Sequence, residues 1–173
     1  MLFRSLGVAE STLLIGYVAR KHPVKDHRTF LEAAGLLHKQ FPDVRFVLCG
    51  DGATEQNSDL KDWSEAAGVR DACYFLGRRD DVPRVLNAFD IATSSSTSEA
   101  FPNALAEAMA CGIPAVVTNV GDSRSILGET GSVVPPKDPK ALAQAWVGLL
   151  QAGPDIRERL GEEIGRASCR ERV

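Results

Sequence analysis

Two pairs of charged residues have the types and spacing to handle a phosphorylated ligand. Arg20 and Lys25 lie five positions apart, directly after the apolar run 13–19. An arginine fork and a lysine point charge at the mouth of a strand can hold a diphosphate between them. Glu99 and Glu107 are eight positions apart and flank Pro102. Proline suits the first turn of a helix, where its missing N–H is not needed. The N–H groups of Asn103, Ala104 and Leu105 are then expected to point outward without helical partners. Such a helix start attracts anions. Asn103 and Glu107, four apart, share one helix face, while Leu105, Ala108 and Met109 share the core face. If a bond to a diphosphate breaks here, charge develops on the leaving group. Arg20, Lys25 and the helix start are the groups that would stabilise it. Each part also has a plainer reading. A single glutamate on a helix is usually solvated or a dipole partner, and an isolated Arg and Lys are usually surface charge.

Other residues give softer signals. Gly50-Asp51-Gly52 would let backbone approach a flat base, because glycine lacks a side chain, or would simply end a strand. Arg78 begins a later loop and is either a base or ribose contact or a surface arginine. His22 and His27 lie beside the proposed phosphate-holding residues without a carboxylate cage, so no metal is expected. They read as exposed polar residues, His22 being the nearer to a bound phosphate. The serine-rich run 94–98 reads as a mobile loop over the site. The four cysteines form no Cys-x-x-Cys pair and read as small core residues in a reducing compartment.

The elements that must carry these residues follow a regular order. Apolar runs at 13–19, 44–49, 72–76, 91–94, 114–118 and 131–134 read as strands. Between and after them, Phe30, Ala33, Ala34 and Leu37 recur at helical spacing, as do residues in 60–67, 82–86, 102–111 and 140–150. Fully apolar strands alternating with helices imply a parallel sheet covered on both faces. The expected fold is α/β, a doubly wound, Rossmann-like sheet of about six strands. Ligands in such sheets bind outside the carboxyl ends of the strands, so the loops beginning near Arg20, Gly50, Gly77, Ser94 and Asn119 are the relevant ones.

Composition narrows the partners. The 173 residues carry a net charge of −3 and only 6% aromatics, which argues against nucleic acid. With 44% hydrophobic residues the chain can bury a core of its own. No apolar run is long enough to span a membrane, and the first residues lack a signal-peptide core. A cytoplasmic location is expected.

The segment 98–114, SEAFPNALAEAMACGIP, closely resembles the Glu-x7-Glu signature of family four retaining glycosyltransferases of GT-B fold. The likeness extends in order over about residues 13–150, through 16–25, 46–52, 75–77 and 131–139. It implies the C-terminal, donor-binding half of such an enzyme. Arg20 and Lys25 would clamp the donor diphosphate and Glu99 would meet the sugar. Gly16, Gly50, Gly52, Arg78, Phe101, Pro102, Asn103, Ala104, Leu105 and Glu107 would line the donor site, with Glu107 toward the ribose. The donor would be a nucleoside diphosphate sugar, with UDP-sugars mildly favoured. The product would be a polysaccharide or glycolipid, made without a metal or other cofactor. The resemblance also implies a separate N-terminal domain that binds the acceptor, and at most a peripheral membrane contact. One departure is Gly121-Asp122, where the family usually has a glycine pair.

Three other readings share some of these residues. A glycoside hydrolase could use Glu99 and Glu107 as its carboxylate pair, but has no use for a phosphate clamp. A dinucleotide-binding domain would need Gly-x-Gly-x-x-Gly after the first strand, where this chain has Gly-Tyr-Val-Ala-Arg. A non-catalytic nucleotide-sugar sensor would carry the same binding residues.

Residues 1–162 read as one nucleotide-sugar-binding domain, expected to be truncated at both ends. Residues 163–173, EIGRASCRERV, resemble the translation of a common short-read sequencing adapter, and helical patterning is expected to break there. They are expected to be non-native. Sequencing the source locus tests this: native codons for that string would refute it.

Overall fold

The computed structural model describes residues 7–9, 11–128 and 130–170, and only the backbone of 164–170. Six strands form one sheet: β1 (Leu14–Val18), β2 (Arg45–Cys49), β3 (Cys73–Phe75), β4 (Ile91–Ser94), β5 (Ala115–Thr118) and β6 (Ser132–Val134). Their order is β3-β2-β1-β4-β5-β6, and every neighbouring pair is parallel. Seven helices accompany them: α1 (His27–His38), α2 (Ser58–Ala66), α3 (Val82–Leu86), α4 (Asn103–Ala110), α5 (Ser123–Leu127), α6 (Pro139–Gln151) and α7 (Pro154–Arg170). This is the doubly wound α/β sheet that the apolar runs imply. The strand order reverses between β1 and β4, so their exits diverge and leave a crevice at the carboxyl end.

Strand residues are buried on both faces because helices cover both. Ile15 and Tyr17 face one core, with Phe30, Phe46 and Trp146. Phe30 and Trp146 meet edge to face at 5.3 Å, a favoured aromatic geometry. The Trp146 indole N–H donates to Thr93 Oγ1 at 3.0 Å, so the largest core side chain leaves no polar group unpaired. Leu14, Phe89, Leu105 and Met109 form the opposite core. Cys49 and Cys73 are buried free thiols and Cys111 is half-buried.

Two helices, α5 and α7, and the short 3-10 turns Pro23–Lys25 and Arg70–Ala72 were not among the expected elements. The expected break after Glu162 does not occur: α7 continues to Arg170. The string 163–170 contains no proline, and its Glu, Arg and Ala tolerate a helix well. Residues 171–173 lie outside the described part.

Helix α7 is seated by two contacts. The buried Arg157 donates to the carbonyls of Leu149 (3.2 Å) and Leu150 (3.4 Å), occupying acceptors at the end of α6. Gly161 packs so tightly on the turn after α4 that a Cβ would sit 1.8 Å from the Gly112 carbonyl oxygen. Gly161→Ala is therefore expected to destabilise the chain by about 1–3 kcal/mol. Gly148 in α6 has open space around it, so Gly148→Ala should stabilise by about 0.5–1 kcal/mol. Urea unfolding of both variants checks the pair; equal effects would mean that α7 is not docked this way.

Candidate functional site

The site is built from the exits of β1 and β4 and the start of α4. Beyond β1 the chain runs beside the exit of β2: Ala19 N–H donates to the Cys49 carbonyl (2.8 Å) and Lys21 N–H to the Asp51 carbonyl (2.7 Å). Glycine is required for this approach. A Cβ on Gly50 would lie 2.2 Å from the Ala19 carbonyl oxygen, and one on Gly52 3.0 Å from Lys21 Cβ. Lys21 is held away from the crevice by Asp59 at 2.8 Å and by the Trp63 ring. The turn Pro23–Lys25 follows, capped by His22, whose Nδ1 accepts from Val24 N–H at 3.4 Å. Asp26 is left-handed at φ 47, and its carboxylate accepts from the Thr29 N–H and hydroxyl at the start of α1.

The exit of β4 is stitched to this loop. Ser94, Ser95 and Ser96 are buried, the last two completely. Ser95 Oγ donates to the Asp26 carbonyl at 3.0 Å, Thr97 N–H to the Val24 carbonyl at 2.7 Å, and Thr118 Oγ1 to the Ser96 carbonyl at 2.6 Å. The serine run is thus the floor of the site and not a loop moving over it. Its hydroxyls satisfy backbone carbonyls beyond the reach of the sheet ladder.

Above that floor lies an open cleft of about 300 Å³. It brings together Arg20, Lys25, Glu99, Phe101, Pro102, Asn103, Ala104, Leu105 and Glu107. Lys25 Nζ forms an ion pair with Glu99 Oε1, and Ser96 Oγ donates to the same oxygen at 2.6 Å. Arg20 and Glu107 have no ion-pair or hydrogen-bond partner among the described residues. Phe101 is 54% exposed, the one large apolar side chain so exposed among the described residues.

The start of α4 differs from expectation in one respect. Asn103 N–H turns back to the Phe101 carbonyl (3.1 Å) and Leu105 N–H to that of Pro102 (2.9 Å). Pro102, at φ −82 and ψ 82, makes the tight turn that allows the first of these bonds. Of the three N–H groups, only that of Ala104 lacks a backbone partner.

Four expected residues lie away from this cleft. Gly16 faces the lower core, where a Cβ would fall 2.0 Å from the Phe89 ring. Gly50 and Gly52 serve the packing of the two exits, and Arg78 is exposed after β3. Conversely, Tyr17, Val18 and Ala19 line the cleft and were not anticipated; Ser94, expected in a loop over the site, lines it as well. Tyr17 is a lone phenol in the aliphatic run LIGYV, which was the available signal. Its hydroxyl donates to the Lys25 carbonyl at 2.7 Å.

His22 is exposed, as expected, but His27 is not: it is 1% exposed and packs on Tyr17 at 5.0 Å between ring centroids. Among the described residues, no hydrogen bond of sound geometry reaches either ring nitrogen. Burial therefore outweighs the opposing pull of the Ala19 backbone and, with the Lys21 and Lys25 charges, lowers its pKa to about 4.

Residues 12–152 match the family model described as Glycosyl transferases group 1. A D-inositol 3-phosphate glycosyltransferase of Corynebacterium urealyticum is 31% identical over 176 aligned positions, covering 96% of this chain and 41% of that protein. The chain thus spans about two-fifths of the length of that relative. Among solved structures, Anabaena HepE in complex with UDP-glucose superposes with a TM-score of 0.88 at 23% identity, over 98% of this chain and 47% of that one. The C-terminal domain of the group 1 glycosyl transferase LpcC from Francisella tularensis superposes with a TM-score of 0.77 at 26% identity, over 90% of this chain and 83% of that one.

The buried histidine has a measurable consequence. Its pKa is about 4 in the fold against 6.5 for an ordinary histidine, so the unfolded chain takes up the proton first as pH falls. The stability is fully present above about pH 6.5 and is lost progressively down to about pH 4, by about 3 kcal/mol in all. His27→Phe, which keeps a ring against Tyr17, should flatten this part of the profile. Urea unfolding at pH 7.0, 5.5 and 4.5 tests it; equal slopes in both proteins would refute the assignment.

Proposed function

The chain belongs to the group 1 glycosyl transferases, and on that premise we propose that it is the donor-binding half of a retaining GT-B enzyme. The enzyme moves a sugar from a nucleoside diphosphate sugar to an acceptor. The observation that carries this reading is the unpaired Arg20 in one cleft with the start of α4 and Glu107, at the switch point where such sheets take ligands. A glycoside hydrolase would leave Arg20 and the helix start without a task.

In this reading Arg20 and Lys25 take the charge that grows on the diphosphate as the anomeric bond breaks, helped by the free Ala104 N–H. Cationic side chains do this work in place of a metal. Glu99 meets the sugar, and Phe101 shields the reacting face from water. A separate N-terminal domain closes the cleft and binds the acceptor. A UDP-sugar is the favoured donor, in keeping with the UDP-glucose complex of the Anabaena neighbour. Synthesis of a polysaccharide or glycolipid in the cytoplasm fits the reading; no described helix is long and apolar enough to cross a membrane.

Glu107 lies on the helix about 6 Å beyond Asn103 at 1.5 Å per residue. A diphosphate at the helix start puts the ribose there, and a carboxylate can accept from its hydroxyls. Glu107→Ala should weaken UDP roughly tenfold to a hundredfold. The chain alone should bind UDP weakly and turn over little, because half a cleft leaves the donor in water. Calorimetry with UDP and GDP, plus a transfer assay, tests both. Undiminished UDP binding by the variant would refute the ribose assignment, and nucleotide-independent release of sugar would refute the transferase.

A further inference from the structure

We propose that Ser96 is a positioning residue for the donor sugar: it holds Glu99 in place while Lys25 exchanges Glu99 for the donor diphosphate. The proposal rests on the donor-site reading and deepens it.

The cleft presents a conflict of charges. Lys25 Nζ is bound to Glu99 Oε1, and their side chains are 22% and 10% exposed. A diphosphate brings at least two negative charges and is the stronger partner for a lysine five residues from the unpaired Arg20. If Lys25 turns to it, Glu99 becomes a poorly solvated carboxylate without its cation. Such a group swings toward water or stays unfavourably placed unless another donor holds it.

Ser96 is that donor. Its Oγ lies 2.6 Å from Glu99 Oε1, the oxygen that Lys25 would vacate, and Ser96 is completely buried. The proton inventory is decisive. Tyr17 has one hydroxyl proton and donates it to the Lys25 carbonyl at 2.7 Å; burial raises its pKa, so it remains a donor. Ser96 Oγ, 3.1 Å from that phenol, is left free to give its single proton to the charged acceptor, Glu99. Ser94 Oγ, at 3.4 Å, can donate to Ser96 in turn. The Ser96 carbonyl is itself fixed by Thr118 Oγ1 at 2.6 Å, so the hydroxyl cannot drift away with its backbone.

The geometry leaves a division of labour within one carboxylate. Oε1 is held from below by Ser96, and Oε2 has no hydrogen-bond partner among the described residues. That oxygen can accept from a sugar hydroxyl. Sugar recognition then depends on Ser96, whereas nucleoside diphosphate binding does not. Removing the Glu99 charge frees Lys25 and should improve diphosphate binding, the opposite of what a simple loss of a ligand contact would do.

The test is a double-mutant cycle on the chain by calorimetry. The unaltered protein, Ser96→Ala, Glu99→Gln and the double variant are each titrated with UDP, GDP, UDP-glucose, UDP-galactose, UDP-N-acetylglucosamine and GDP-mannose. The quantity read is the affinity of the best donor divided by that of its own nucleoside diphosphate. Ser96→Ala should leave the diphosphate affinity within about twofold and cut this ratio roughly threefold to tenfold. In the Glu99→Gln background it should change the ratio no further. Glu99→Gln alone should tighten the nucleoside diphosphate about twofold to fivefold. A Ser96→Ala that lowers both affinities alike marks a purely structural serine, and an effect of equal size in both backgrounds shows that it does not act through Glu99. Either result overturns the proposal, as does an unchanged ratio. Absence of any nucleotide binding by the unaltered chain, a distinct outcome, refutes the donor site itself.

Discussion

Tyr17, Ser95 and Thr97 donate hydrogen bonds to the carbonyls of Lys25, Asp26 and Val24, three successive residues of one loop. The Ser95 and Thr97 bonds tie the exit of β4 to the exit of β1 at the place where the strand order reverses, and the Tyr17 bond holds that loop to its own strand. The two strands pair over only Ile15↔Ile91 and Gly16↔Ala92, so the ladder ends well before the loops do. Irregular backbone beneath a cleft would otherwise carry unsatisfied carbonyls. The hydroxyls therefore do two things at once. They make the switch point stable and fix the height at which Lys25 stands beside Glu99.

That arrangement gives the two cations unequal roles. Arg20 is exposed and unpaired, a standing attraction for an anion. Lys25 is already neutralised by Glu99. Lys21, between them in sequence, is removed from the contest by Asp59 and Trp63. A ligand with a single charge can satisfy Arg20 but competes poorly for Lys25. A diphosphate can engage both, because its second phosphoryl group adds charge at the distance the loop sets. On the proposed donor reading, selectivity for diphosphates would come from the ion pair as much as from the number of positive charges.

Sequence made the sheet legible because a parallel strand covered on both faces must be apolar throughout, as LIGYV, RFVLC and AVVT nearly are. The cleft residues Arg20, Lys25, Glu99 and Glu107 were legible because two strand exits and a proline-started helix fix where such residues stand. Helix α7 was harder: Ile156, Leu160 and Ile164 lie at helical spacing, but they are few in a polar segment, and its seat depends on Arg157 and Gly161 meeting distant backbone. The serine run and His27 misled for a shared reason. Polar residues after a strand usually face water, but here backbone carbonyls and a tyrosine ring compete for them. No one-dimensional pattern shows that a hydroxyl will be needed as a donor 69 residues away, as Ser95 is for the Asp26 carbonyl.

The same close packing accounts for the departure at Gly121-Asp122. Gly121 is left-handed at φ 50, and a Cβ there would lie 2.0 Å from the Glu99 carbonyl oxygen. The β5 exit must press against the backbone of Glu99, so only glycine fits at this position. Asp122 has φ −85 and ψ 5, which any residue adopts, and it is exposed at the start of α5. The first glycine of the family's pair is therefore enforced by the chain itself, and the second is free of that demand. Asp122 is not among the residues that line the cleft, so the departure leaves the placement of Glu99 intact.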